Sequence, residues 1–353
     1  MLRIFFNKPL IELNRDIVNV SREWLGTADE EKDKVAPLCE AMLVKHAGRM
    51  GREGFLIFRA LISDCESRRT ACARALEIRP HFGWALELRT GPCVHTNEKE
   101  RLPELEQAVR LRPRYPWTWC RLGGAYRALG LYGQAMNASN QALSVDPAFF
   151  EARIGRIQTL RDSKKIEEAL AEVNLLLLRY PDMALAHYHR GVLQESLGRL
   201  EGARADLDQA VHLSPEMGKF WYCRAVVNLK LECVVAAQSD AVRAIHACPT
   251  LPDTYDFLLA LCRERNDYAP ILVACDAVLQ DQPDATMARL VRGIARGESG
   301  RPEAAILDLD HVVRLVPEDP QVWFERARVK VALRQYMAAR RDMDRALQLA
   351  PPD

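Results

Sequence analysis

The chain has 353 residues, with 49 lysines and arginines against 48 aspartates and glutamates, for a net charge of +1. That balance gives no long-range attraction for nucleic acid or for an anionic membrane. Hydrophobic residues make up 48% and charged residues 27%, as in folded soluble proteins, and no stretch approaches the ~20 apolar residues of a membrane span.

The N-terminal sequence MLRIFFNKPLIELNRD has a short apolar run broken by Asn7, Lys8 and Pro9, which does not fit a signal peptide. Ten cysteines occur, none as a CxxC pair or in a zinc-type cluster. Buried reduced thiols, such as Cys262 and Cys275, fit a cytoplasmic protein. Residues 11–25 and 37–47 read as helices around an acidic stretch at 29–33, and 1–48 is expected to form a helical capping segment. Residues 49–115 read as a degenerate helical region. One hairpin there ends TACARALEIRP; another ends EQAVRLRP, with its first helix cut at Gly91-Pro92.

From there the prolines take over. Pro113, Pro147, Pro181, Pro215, Pro249, Pro283, Pro317 and Pro351 are spaced 34 apart. The chance of seven prescribed positions all being proline is on the order of 10⁻⁹, so the period organises the chain. Proline lacks an N–H and clashes with a preceding helical turn, so it falls between helices or in a first turn. Between the prolines, apolar residues recur three and four apart. Each unit breaks in its middle, at Leu129-Gly130, Asp162-Ser163, Leu197-Gly198 and Ser299-Gly300, where glycine suits a helix C-cap. Each unit therefore reads as two helices joined by a tight turn. The expected fold is all-α.

The stretch from Pro116, PWTWCRLGGAYRALGLYGQAMNASNQALSVDP, resembles the tetratricopeptide repeat through Trp119, Leu122, Gly123, Tyr126, Ala135, Ala142 and Pro147, with Ser139 in place of the usual aromatic. Six further units begin at Phe150, Ala184, Gly218, Pro252, Thr286 and Pro320, so the resemblance covers 116–351. It implies a right-handed superhelical α-solenoid of tandem helix-turn-helix units. Small residues at position eight (Gly123, Gly191, Ala225, Gly293, Ala327) let paired helices approach.

Two columns vary together. Position seven is arginine in five units (Arg156, Arg190, Arg224, Arg292, Arg326), and position twenty-three there is acidic (Glu172, Asp206, Asp240, Asp308, Asp342). The units with Leu122 and Leu258 at position seven carry Ala138 and Ala274 instead. Antiparallel helices turning near position fifteen place these residues opposite each other. A structural salt bridge is expected, within each hairpin or to a neighbouring unit.

Signatures of chemistry are missing. The sequence has no GxxxxGK[ST], HRD, DFG or GxSxG motif, and no GxGxxG after a strand. His187 and His189 lie about 200° apart on a helix and cannot share a metal. No catalytic residue, cofactor or metal is expected.

The resemblance implies that the first helix of each unit lines a concave groove through positions two, five, nine and twelve. On that basis the candidate peptide-binding residues are Trp117, Arg121, Arg127, Ile154, Arg161, Tyr188, Tyr222 and Phe324. Tyr188 and Tyr222 lead as exposed aromatics, with Arg121, Arg127 and Arg161 as a basic patch beside them. The carboxylate clamp of chaperone-binding relatives is not matched: Cys120, Gly124, Gly155, Leu185 and His189 stand at its positions. A chaperone C-terminal tail is therefore not the expected ligand. At the C-terminal edge, Met343, Leu347 and Leu349 leave apolar surface. A longer protein, self-association and a tolerated surface all stay open there.

The leading expectation is a non-catalytic scaffold or adaptor that binds a protein or peptide in its groove. One alternative is the regulatory array of a larger enzyme, such as a kinase or glycosyltransferase, whose catalytic domain lies outside this chain. The other is a helical-repeat RNA binder, disfavoured by the neutral charge and the 34-residue period.

Overall fold

The computed structural model describes residues 98–350 together with the isolated upstream position Cys72. The expectations for 1–48, for the 49–80 hairpin and for the first helix of the 81–113 hairpin lie outside the described residues. The chain divides into two compact units that part between Lys165 and Ile166. The first contains α1 (Glu98–Leu111), α2 (Pro116–Ala128), α3 (Tyr132–Val145) and α4 (Phe150–Asp162). The second contains α5 (Ile166–Arg179), α6 (Ala184–Ser196), α7 (Leu200–Leu213), α8 (Gly218–Lys230), α9 (Val234–Ala247) and α10 (Pro252–Arg265). It continues with α11 (Ala269–Asp281), α12 (Thr286–Glu298), α13 (Pro302–Leu315), α14 (Pro320–Ala332) and α15 (Tyr336–Leu349). Among the described residues every regular element is a helix, and the fold is an all-α helical repeat solenoid.

The same turn ends the first helix of all seven repeats. Position fifteen holds a positive φ throughout: Gly130 (74°), Lys164 (65°), Gly198 (73°), Glu232 (60°), Asn266 (49°), Gly300 (77°) and Arg334 (59°). The next residue's N–H then reaches five residues back, as Leu131 to the Tyr126 carbonyl at 2.8 Å and Cys233 to Asn228 at 2.8 Å. This is the Schellman closure that consumes the last free carbonyls of a helix. Glycine adopts it without strain. Lys164, Glu232 and Arg334 carry a Cβ into a region that L-residues avoid.

The periodic prolines have a second use. Pro147, Pro215, Pro249, Pro283 and Pro317 each follow a residue held out of the helical region, such as Asp146 (φ −138°, ψ 101°) and Cys248 (φ −145°, ψ 84°), as the bulk of the proline ring requires. The carbonyls of six periodic prolines pair with the side chain at position four of the next helix. Trp119 donates to Pro113 at 2.8 Å, Trp221 to Pro215 at 2.7 Å and Trp323 to Pro317 at 2.8 Å. Arg153 donates to Pro147 at 3.2 Å and Arg289 to Pro283. His187 Nε2 takes the indole's place against Pro181 at 2.8 Å. Tyr255 breaks the rule: it is fully buried and its hydroxyl has no partner.

Close approach of paired helices sets the small column. A Cβ on Gly191 would stand 2.9 Å from Leu207 Cγ and 3.1 Å from the Ala203 carbonyl; on Gly293 it would stand 2.9 Å from Leu309 Cγ. In the first unit Leu105, Val109, Leu122 and Ala125 form a core with Trp119 and Tyr126 against it. In the second, one cluster gathers Tyr188, Leu207, Val211 and Phe220, and a larger one runs from Ala225 through Leu258, Ile271 and Leu309 to Val329.

Candidate functional site

The arginines at position seven tie three helices together. Arg224 on α8 lays Nε and Nη2 on the two oxygens of Asp240 on α9, at 2.8 and 2.6 Å. Its third nitrogen reaches back to Asp208 on α7 at 2.7 Å. Arg292 does the same with Asp308 (2.9 and 2.6 Å) and Asp276 (2.7 Å). Arg326 repeats it with Asp342 (2.8 and 2.7 Å) and Asp310 (2.9 Å). Arg190 holds Asp206 at 2.7 and 2.6 Å and Asn174 at 3.2 Å. Arg156 donates to Asn140 at 2.8 Å within the first unit. Its pairing with Glu172 spans the division between the units and stays an expectation.

These bonds are bidentate and charge-assisted, the strong form of an ion pair. The guanidinium of Arg224 also lies 4.7 Å over the Trp221 ring, and that of Arg326 lies 4.7 Å over Trp323. Position eleven adds a further donor to the same buried aspartate: Asn228 to Asp240 at 2.8 Å, Arg296 to Asp308 at 2.8 Å and Lys330 to Asp342 at 2.7 Å. For Asp342, burial alone would raise the carboxyl pKa. The hydrogen bonds of Arg326 and Lys330 outweigh that and hold it below the ordinary value. Hydrogen bonding to Asp308 likewise raises the Arg292 guanidinium, whose charge is permanent in any case.

The 252–285 hairpin replaces the whole arrangement with apolar residues. Where the Arg224, Arg292 and Arg326 staples use Asp, Arg, a polar donor and Asp, this unit and its predecessor carry Val242, Leu258, Cys262 and Ala274. The last three are fully buried, and Val242 packs against the same cluster. With no guanidinium to accommodate, α9 packs directly on α11 as well as on α10. Both solutions satisfy one rule, that a buried charge is either fully paired or absent.

The first-helix face sorts the groove candidates differently from the sequence. In the first unit Trp117 is 40% exposed and meets Phe149 edge-on at 6.1 Å. Ile154 is 6% exposed and belongs to the core. Arg121 is half-buried. Arg127 (2.8 Å) and Arg161 (3.0 and 2.9 Å) converge on the Asp162 carboxylate, which offsets one of their two charges and ties both side chains down. The hydrogen bonds of both arginines keep Asp162 below its usual pKa despite the upward push of burial.

In the second unit Tyr188 is 7% exposed, stacked on Phe220 at 4.9 Å and edge-on to His189 at 5.0 Å. The expectation of an exposed Tyr188 is corrected: Phe220, at position three of the next hairpin, covers the ring. Tyr222 is half-buried, with Phe257 edge-on at 5.8 Å. Burial raises its phenol pKa, and the nearby carboxylates of Asp253 and Asp256 raise it further. Both aspartates are exposed on α10, as is Lys219 one turn before Tyr222. Phe324 is 43% exposed on α14.

A second ladder of ion pairs joins successive first helices. Position twelve of one first helix pairs with position thirteen of the next: Arg127 with Asp162, Lys230 with Glu195, and Arg263 with Glu298 at 2.8 and 2.7 Å. Its spacing is 35, one more than the repeat, so it falls outside any single column. Among the described residues, no group of three His, Cys, Asp or Glu side chains could hold a metal ion, and no helix is long and apolar enough to cross a membrane.

A family profile described as "Tetratricopeptide repeat" matches residues 154–218 and 290–353, and a second with that description matches 118–149. Tetratricopeptide repeat protein 13 of Homo sapiens is 35% identical over 79 residues, 21% of this chain and 9% of that protein. The Tetratricopeptide repeat protein 36 homolog of Drosophila melanogaster is 38% identical over 88 residues, 24% of this chain and 43% of that protein. The chain thus spans less than half the length of these curated relatives. Among solved structures, the human IFIT1 dimer with PPP-AAAA gives a TM-score of 0.54 at 14% identity, covering 91% of this chain and 78% of that one. That is a likeness of fold. One 34-residue period and one turn run through the repeats, and the profiles match those at 118–149, 154–218 and 290–353, which are tetratricopeptide repeats.

Proposed function

We propose that this chain is a non-catalytic adaptor whose first-helix face, in the 166–353 unit, holds an extended segment of a partner protein carrying basic residues. The family and its architecture support a protein-interaction scaffold in general. The carrying observation for the finer reading is Tyr222. Its ring is half-buried against Phe257, and the exposed carboxylates of Asp253 and Asp256 lie close enough to raise its phenol pKa. An aromatic pair offers a rigid apolar anchor, and a lysine or arginine side chain is attracted both to a ring face and to adjacent carboxylates. Exposed charges at such a rim govern partner choice and on-rate more than raw affinity. Trp117 and Phe324, exposed on the same kind of helix, are further candidates for apolar contact in their own units.

An immobilised array of lysine- and arginine-rich peptides, with glutamate-rich controls, tests the reading. The wild-type chain should bind the basic set and Tyr222→Ala should lose it. Equal binding by the two proteins, or preference for the acidic set, would show that Tyr222 is not the anchor.

A further inference from the structure

The outward side of α15 repeats what three inner hairpins offer to their successors, and no helix among the described residues covers it. At position twenty-five, Asp208, Asp276 and Asp310 each receive an arginine of the next hairpin, at 2.7, 2.7 and 2.9 Å. The equivalent on α15 is Asp344, which is exposed and has no ion-pair partner among the described residues. Position twenty-eight is 5% exposed at Val211, 0% at Ile245 and 7% at Val313, whereas Leu347 is 69% exposed. Tyr336 (63%) and Met337 (72%) lie exposed at the start of the same helix, and Phe324 (43%) and Val331 (52%) on α14. Arg340 is exposed one helical turn before Asp344.

The order along this stripe is its own complement. Met337 and Leu347 are equidistant from Asp342, and so are Arg340 and Asp344. We propose that α15 is a homodimer surface, on which α15 of a second copy lies antiparallel on the face opposite the buried Asp342, with the two-fold axis at the level of residue 342. In that register each Arg340 faces the partner's Asp344, and Tyr336 and Met337 cover the partner's Leu347. The two apolar ends stand about 15 Å apart, at 1.5 Å of rise per residue. A two-fold axis makes every such contact twice, which is how a short stripe becomes a specific interface. Among other occupants, a partner helix would need a matching Asp/Arg order, and the chain already carries that order. The inference does not rest on the reading of Tyr222.

Sedimentation velocity over roughly 1 to 100 µM is the test. The wild-type chain should dimerise. Arg340→Asp and Asp344→Arg should each weaken the dimer at least about tenfold, because each places like charges opposite one another twice. Mixing these two variants should restore a 1:1 dimer, since one now carries two arginines and the other two aspartates. Leu347→Glu should be monomeric with unchanged far-UV circular dichroism. A wild-type chain that stays monomeric throughout, as it would if another protein or segment covers this face, overturns the proposal. So does a dimer indifferent to the charge variants, or a failure of the mixed pair to associate.

Discussion

Asp240 and Asp208 both bond Arg224, at 2.6 and 2.7 Å, yet their removal should have very different effects. The side chain of Asp240 is 5% exposed and that of Arg224 16%, whereas Asp208 is 46% exposed. Asp240→Ala strips two charge-assisted bonds from a desolvated guanidinium and one from Asn228, itself 2% exposed. The expected cost is ~3–5 kcal/mol, the range for breaking a buried pair. Asp208→Ala opens a solvated contact and should cost under ~1 kcal/mol. The chain supplies its own control. Asp208→Val, Arg224→Leu, Asn228→Cys and Asp240→Ala together copy Val242, Leu258, Cys262 and Ala274. That combination should return to within ~1 kcal/mol of wild type, because an apolar replacement of a buried ion pair is often neutral. Stability in a repeat array is local, so hydrogen exchange of α8 and α9 amides is the assay. Asp240→Ala should lower their protection roughly 10²-fold or more. If Asp240→Ala costs no more than Asp208→Ala, or if the fourfold variant is as damaged as the single one, the staple is not what holds these helices.

Tyr255→Phe should be neutral or stabilising by up to ~1 kcal/mol in urea titration, since its buried hydroxyl has no partner. Trp221→Phe should instead lose ~1 kcal/mol with its bond to the Pro215 carbonyl. Glu232→Gly and Arg334→Gly should each raise stability by ~0.5–1 kcal/mol by relieving a positive φ at the hairpin turn. Asp162, Glu298 and Asp342 have pKa values held below the ordinary range, so the stability they add is present above about pH 4 and is lost as pH falls through their lowered values. The urea midpoint should therefore drop below about pH 4, less steeply in Asp342→Asn. Burial pushes the thiol of Cys275 up to about 12, so at pH 8 iodoacetamide should spare it until the chain unfolds.

The period was legible because proline marks one place in every hairpin, and its cause lies in the sequence-local demand for a non-helical residue between helices. The pairing of Arg190, Arg224, Arg292 and Arg326 with Asp206, Asp240, Asp308 and Asp342 was legible because two columns change together within one chain. The third leg was not read: Asn174, Asp208, Asp276 and Asp310 look like an ordinary solvated column until the next hairpin is placed on them. Groove candidates fared unevenly for the same reason. Tyr188 and Tyr222 occupy one column, but Phe220 covers the first, while Phe257 meets only the edge of the second. Arg127 and Arg161 suggested a basic surface, and only tertiary structure shows Asp162 between them. Exposure at a repeat position depends on the neighbour's side chains, and a column from one hairpin does not contain them.

Titration of a fluorescently labelled lysine-rich peptide into the wild-type chain and into an Asp253→Lys/Asp256→Lys variant tests the functional account most directly. The wild type should bind it with an affinity that falls as salt rises, and the variant should lose that binding and prefer a glutamate-rich peptide instead. Unchanged affinity of the variant for the lysine-rich peptide would contradict the assignment of this face.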